Sequence, residues 1–232
     1  MWDGMIQASL ATLAFAALHS LLASLAVKRL AARVFGERNR NGLYRAFFVA
    51  QSLVAFAALV WFLDSLPAVE LYRIEPPLLW LTYALQASAL LYTTWAVAQV
   101  GAMRISGLSG VGRRMRGGPV PPEPEAQGPA LDAEGLPRRA GPFAWSRHPL
   151  NMAPLVALWL WPTMTSTFLA FNLTTTVYLV VGSFHEEARL RAAYGDAYAA
   201  YQRSGVPFYL PWPTRRASRP THTLTGTGGP TG

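Results

Sequence analysis

Uncharged apolar runs alternate with short arginine clusters along this chain, and the lengths of the runs predict its architecture. Residues 5–27 carry about 23 positions without a charge until Lys28, enough at 1.5 Å per helical residue to cross a hydrocarbon core of roughly 30 Å. Residues 43–66 predict a second span and residues 78–100 a third, with Pro76 and Pro77 barring an earlier helix start. After a polar stretch over 101–142, apolar residues resume at Leu150, pause at Pro162-Thr163-Met164-Thr165, and return through 166–182. That pattern predicts an out-and-back helical hairpin whose polar ends, Ser146-Arg147-His148-Pro149 and His185-Glu186-Glu187, finish side by side. The outward arm, 150–165, covers only about 24 Å and contains Pro154 and Pro162, so a kinked or partial crossing is expected. Beyond Glu187, Leu190, Tyr194, Tyr198 and Tyr201 recur at helical spacing, with Gly195 placed to end one helix and Asp196 to start the next.

Composition moves this from a helical protein to a membrane one. Hydrophobic residues make up 52% of the 232 positions and charged residues 14%, against about 25% charged in soluble domains. The net charge of +8 would suit nucleic acid, yet the basic residues sit in clusters between apolar runs instead of on one face, so no nucleic-acid partner is expected. Six Lys and Arg fall in 28–45, one in 64–77, seven in 104–147 and six in 189–219. Nineteen of twenty thus lie on alternate connections, which places the N-terminus outside and the C-terminus in the cytoplasm of a multi-pass inner-membrane protein. This parity needs an odd number of crossings, and three spans plus a hairpin give five. Trp2, Trp61, Trp80, Trp159 and Trp161 then fall near the outer interface, where indoles are favoured.

The fold class expected is therefore all-α, with five transmembrane helices, the last two a hairpin, and a C-terminal amphipathic cytoplasmic helix. A single membrane domain spans 1–213, divided into a three-span bundle (1–101), a cytoplasmic loop (102–142) and the hairpin with its tail helix (143–213). Residues 117–137 read as a mobile loop and 214–232 as a disordered tail, both rich in Gly and Pro. Asp3 before the first run and Lys28-Arg29 after it are the reverse of a secretory signal, so that run is expected to be retained. His19, the strongly polar side chain of that span, is expected to bond a neighbouring helix. The glycines from Gly107 to Gly118 have no preceding strand and so lack the setting of a phosphate loop. Absence of cysteine removes disulfides, thiolate metal ligands and a cysteine nucleophile, and no metal site is expected.

The candidate chemistry sits where the hairpin ends meet. A guanidinium, an imidazole and two carboxylates from Arg147, His148, Glu186 and Glu187 suit a small zwitterionic ligand: Arg147 can fork a carboxylate, and the glutamates can accept from an amino group or ribose hydroxyls. The same residues also admit a purely structural role, as interfacial anchors and helix-end salt bridges to Arg189 or Arg191.

Arg147-His148-Pro149, then Glu186-Glu187, Leu190, Tyr194-Gly195, Tyr198, Tyr201 and Val206-Pro207, in that order and at those spacings, resemble the isoprenylcysteine carboxyl methyltransferase-like membrane enzymes. Within that group, Pro162-Thr163-Met164-Thr165, Ala17-Leu18-His19-Ser20 and Glu37-Arg38 look most like the methanethiol S-methyltransferases. Asn151 and Ala153 stand where many relatives carry tyrosine and glycine. The resemblance implies S-adenosylmethionine as methyl donor, bound by Arg147, His148, Pro149, Leu150, Glu186 and Glu187, with no residue assigned as catalytic. It implies a small-molecule or lipid-soluble acceptor, a small thiol such as methanethiol first. An isoprenylcysteine carboxylate and a phospholipid amine are the alternative acceptors. A non-enzymatic transport or haem-associated role in nitrogen-oxide metabolism, with His19 and His185 as candidate ligands, is the alternative of another class.

Overall fold

A computed structural model describes residues 2–122, 129 and 137–209. The described residues are mostly helical: α1 (Trp2–Ala23), α2 (Leu25–Phe35), α3 (Glu37–Ser65), α4 (Leu78–Val100), α5 (Ala102–Ile105), α6 (Leu108–Met115), α7 (Pro149–Trp159), α8 (Ser166–Tyr194) and α9 (Asp196–Arg203). A two-stranded antiparallel ribbon, β1 (Glu70–Arg73) with β2 (Thr163–Thr165), joins the connection after α3 to the tip of the hairpin. By length and composition α1, α3 and α8 are each able to cross a membrane. α4 and α7 do not meet the same measure, so five crossings are not established by helix length and hydropathy.

Small residues decide how the long helices pack. The buried positions of α1 are Gly4, Ala8, Thr12 and Ala16, one every four residues, and this seam lies against α8. Helices in lipid gain little from apolar contact as such, so close backbone approach through small side chains is what holds them. A Cβ on Gly4 would sit 2.4 Å from the Pro67 carbonyl oxygen and 3.3 Å from Thr167, so the start of α1, the end of α3 and the start of α8 share one end of the bundle. On α4 the buried positions Thr82, Ala89 and Ala96 recur every seven residues on the helix that packs against α7. The outward faces stay apolar: Leu10, Val54, Leu91 and Val177 are all more than 60% exposed, as suits side chains that meet lipid.

The structure corrects several expectations. Within the basic connection 28–45, α2 forms with Ser24 as its N-cap, and α3 begins already at Glu37, six residues before the expected start of the span. The outward arm of the hairpin is an 11-residue helix, not sixteen, because the chain leaves helical geometry at Leu160, just before Pro162. Residues 163–165 are extended instead of a plain turn. There the Ser166 amide donates to the Val69 carbonyl, and the Ile74 amide to that of Pro162. The glycines of 107–118 also have a use that composition did not reveal. Gly107 takes φ +81° with its Cα against the Ala46 backbone, and an added Cβ on Gly110 would sit 2.8 Å from the Gly42 carbonyl, so both let α6 lie directly on α3. The mobile stretch assigned to 117–137 falls largely outside the described residues, and the tail 214–232 falls wholly outside them.

Candidate functional site

Pro142 and Phe143, in a 3-10 turn over Gly141–Ala144, are buried, and the turn delivers the chain into Ser146, which is fully buried. The Ser146 hydroxyl accepts from the His148 amide at 3.2 Å and donates to the Phe208 carbonyl at 3.3 Å. The Arg147 amide donates to the Pro207 carbonyl at 2.9 Å. Pro149 then starts α7, where its fixed φ and missing N–H cost nothing. Two features fix the angle at which Arg147 and His148 leave the backbone: this proline, and the chain after α9 lying across it.

Across the hairpin, 38 to 40 residues on, α8 brings Glu186 and Glu187 to the same place. Arg147 Nε donates to Glu187 Oε1 at 2.7 Å, and Arg147 Nη1 to the Val206 carbonyl at 3.1 Å. The His148 ring, buried to 3% exposure, sits between the two carboxylates, with Nδ1 3.3 Å from Glu186 Oε2 and Nε2 3.4 Å from Glu187 Oε1. Its face packs on Phe208, which also lies under the Arg147 guanidinium. Glu187 is nearly closed off, its second oxygen taking Gln202 Nε2 at 2.8 Å, whereas the Glu186 side chain keeps about a third of its surface open.

The structure therefore brings together four of the six residues expected to bind a cofactor; the other two, Pro149 and Leu150, form the first residues of α7 beside them. His185 is exposed on α8, and His19 lies 3.1 Å from the Ser52 hydroxyl on α3, packed on Phe48. Among the described residues no group of three or more metal-ligating side chains occurs.

The tail pattern turns out to be a packing device. Leu190, Tyr198, Tyr201 and Val206 form one buried cluster with Tyr194 against it, and the Tyr201 hydroxyl donates to the Phe143 carbonyl at 2.7 Å. Burial pushes both the Tyr198 and Tyr201 phenols far above their ordinary range, and for Tyr198 the Glu187 carboxylate adds to the effect. The Tyr198 hydroxyl is buried with no hydrogen-bond partner among the described residues. Tyr198 is fully buried, so its hydroxyl belongs to this packing, and Glu186, with about a third of its side chain open, is the carboxylate of the cluster that a polar ligand can reach.

Sequence reasoning missed Gln202, which ties α9 to Glu187, and the polar layer one turn deeper. In that layer Asn151 Nδ2 donates to Ser183 Oγ at 2.8 Å, and Ser183 Oγ lies 2.9 Å from the Tyr209 hydroxyl. Asn151 and Ser183 could have been suspected from their place in apolar helices; nothing in the pattern marked Gln202. Below this layer a cavity of about 610 Å³ lies among α1, α3, α4, α7 and α8, lined from Ala153 outward and not by the four charged residues. Ala153, where relatives were expected to carry glycine, is 2% exposed and forms part of its wall.

No family model and no solved structure matches the chain. Curated proteins do. Over 205 residues it is 31% identical to a methanethiol S-methyltransferase of Mycobacterium tuberculosis, an alignment covering 87% of this chain and 75% of that protein. A methanethiol S-methyltransferase of Pseudomonas deceptionensis is 37% identical over 87 residues, 38% of this chain and 33% of that one. One of Crocosphaera subtropica is 36% identical over 70 residues, 30% of this chain and 27% of that one. By the first of these alignments, which covers most of both proteins, the chain belongs to the methanethiol S-methyltransferase family.

Proposed function

We propose that the protein transfers a methyl group from S-adenosylmethionine to a small thiol, methanethiol first, at the end of the bundle where α7 begins. The observation that carries this is the convergence of Arg147, His148, Glu186 and Glu187 from both ends of the hairpin into one cluster. Its donors and acceptors match the amino, carboxylate and ribose groups of that donor. S-adenosylmethionine would supply the methyl on a sulfonium centre, which a thiol sulfur displaces in line. Glu186, about a third open, is placed to accept from the amino group or ribose. Arg147, held by Glu187 and the Val206 carbonyl, presents a fixed cation to a carboxylate. His148, clamped between the glutamates and Phe208, holds the pocket floor in place. Orientation and exclusion of water, worth about 7–11 kcal/mol when ideal, are the chain's main contribution, because a thiolate needs little further activation.

Five crossings fit this assignment, with α4 as the third and α7 plus the extended chain up to β2 as the fourth. The N-terminus then lies outside, and the charged cluster faces the cytoplasm, where the donor is made. Alternation of the arginine clusters supports that orientation, and residues 1–213 would form one membrane domain.

Purified protein should bind S-adenosylhomocysteine in calorimetry and release dimethyl sulfide from methanethiol and labelled donor. A prenylcysteine and phosphatidylethanolamine, offered in parallel, should accept far less label. Absence of both cofactor binding and transfer, or a Soret band in the purified protein, would overturn the assignment.

A further inference from the structure

The cavity beneath the cluster is much larger than methanethiol. At about 610 Å³ it falls in the range that holds ligands of drug size. A two-heavy-atom thiol fills on the order of 60 Å³, taking about 30 Å³ per water-sized group. Phe15, Phe56, Leu90, Trp161, Phe171 and Leu179 are among the residues that line it, and no Asp, Glu, Lys, Arg or His does. Of the five Thr, Gln and Tyr side chains on the wall, four are already spent on their own bundle and Thr175 is not. The Thr12 hydroxyl donates to the Ala8 carbonyl, Thr93 to Ala89, and Gln86 to Ala157, while the Tyr178 hydroxyl pairs with Ser20. A site meant for water or for a polar acceptor would offer two or more such groups free to bind it, and this wall offers one hydroxyl.

Its position is also that of an acceptor site. Ala153 lies five residues beyond His148 on α7, and Leu179 seven before Glu186 on α8, so the cavity begins roughly 7–10 Å from the charged cluster along the helices. The Asn151–Ser183–Tyr209 layer lies between them.

We propose that this cavity is the acceptor site for thiols that carry an apolar chain or ring of several carbons, with methanethiol filling a small part of it. The inference rests on the methyltransferase assignment above. In the reaction the thiol's S–H proton passes to solvent and its sulfur forms a new bond to the methyl carbon. The sulfonium C–S bond breaks with its electron pair kept by the donor's sulfur, leaving an alkyl methyl thioether and a neutral donor product.

The test is kcat/KM for a series from methanethiol to 1-octanethiol in detergent-solubilised protein. Each buried methylene should raise it about fourfold until the cavity is filled. Octyl methyl sulfide should inhibit methanethiol turnover competitively. Filling the cavity with Ala157→Phe, or more mildly with Thr175→Leu, should lower the octanethiol-to-methanethiol ratio of kcat/KM at least tenfold, with S-adenosylhomocysteine calorimetry reporting that each variant is folded. A flat or falling series in protein that turns over methanethiol overturns the proposal and leaves the assignment standing. A ratio unmoved in both folded variants also overturns it. Failure of methanethiol turnover and of S-adenosylhomocysteine binding together would remove the assignment itself.

Discussion

Adjacent glutamates with opposite duties give the sharpest test of the site. Glu187 is 7% exposed and accepts from Arg147 Nε at 2.7 Å and from Gln202 Nε2 at 2.8 Å, with His148 Nε2 3.4 Å away, so it ties α7, α8 and α9 together. Removing one partner of a buried ion pair costs about 3–5 kcal/mol, because the remaining charge keeps its desolvation and loses its counter-charge. In Glu187→Gln the amide oxygen still accepts one hydrogen bond, and the Arg147 side chain keeps some solvent, so a loss of about 2–3 kcal/mol is expected. For a chain of this length that is a fall on the order of 4–12 °C in unfolding midpoint. Glu186 lies 3.3 Å from His148 Nδ1 and is about a third open, so Glu186→Gln should cost under about 1 kcal/mol. The binding consequence runs the other way: Glu186→Gln should weaken S-adenosylhomocysteine by roughly tenfold or more, the worth of a charge-assisted hydrogen bond. Thermal unfolding by intrinsic fluorescence, paired with calorimetry, reads both quantities on the same samples. Equal destabilisation by the two variants, or full cofactor affinity in Glu186→Gln, would refute the division of roles.

Gly107→Ala should loosen α6 from α3, because a Cβ there would sit 2.4 Å from the Ala46 nitrogen in a backbone conformation that disfavours side chains. A cost of about 1–3 kcal/mol is expected, read as faster limited proteolysis around residues 102–122, and unchanged cleavage would count against close packing. Above about pH 10 an unfolded chain releases phenolic protons that buried Tyr198 and Tyr201 retain, so the unfolded state binds fewer protons and stability falls as pH rises. Below that pH the two phenols contribute no slope. Tyr201→Phe should remove part of the alkaline decline in denaturation midpoint, and an unchanged slope would show that other groups cause it.

The periodic parts of the chain carried their meaning openly. Long uncharged runs marked where the long apolar helices α1, α3 and α8 lie, since burying an unpaired charge in lipid is costly wherever the neighbours are. Gly195, at φ +53°, ended one helix, and Asp196 stood as the first residue of the next, because a glycine's freedom of φ is a local property. The meeting of Arg147 and His148 with Glu186 and Glu187 was legible too, because a hairpin must return its ends to one face.

What the sequence alone could not decide were features that depend on distant partners. An 11-residue α7 followed by β2 owes its form to the β1 strand, ninety residues earlier, which supplies the hydrogen bonds that an extended tip requires. Gly107 and Gly110 became contact surfaces only because Gly42 and Ala46 lie opposite. Gln202 acquired its role only when α9 folded back over Glu187. The large apolar cavity has no signature in any one helix, since empty volume is a property of the space between helices and depends on which faces the packing leaves apart.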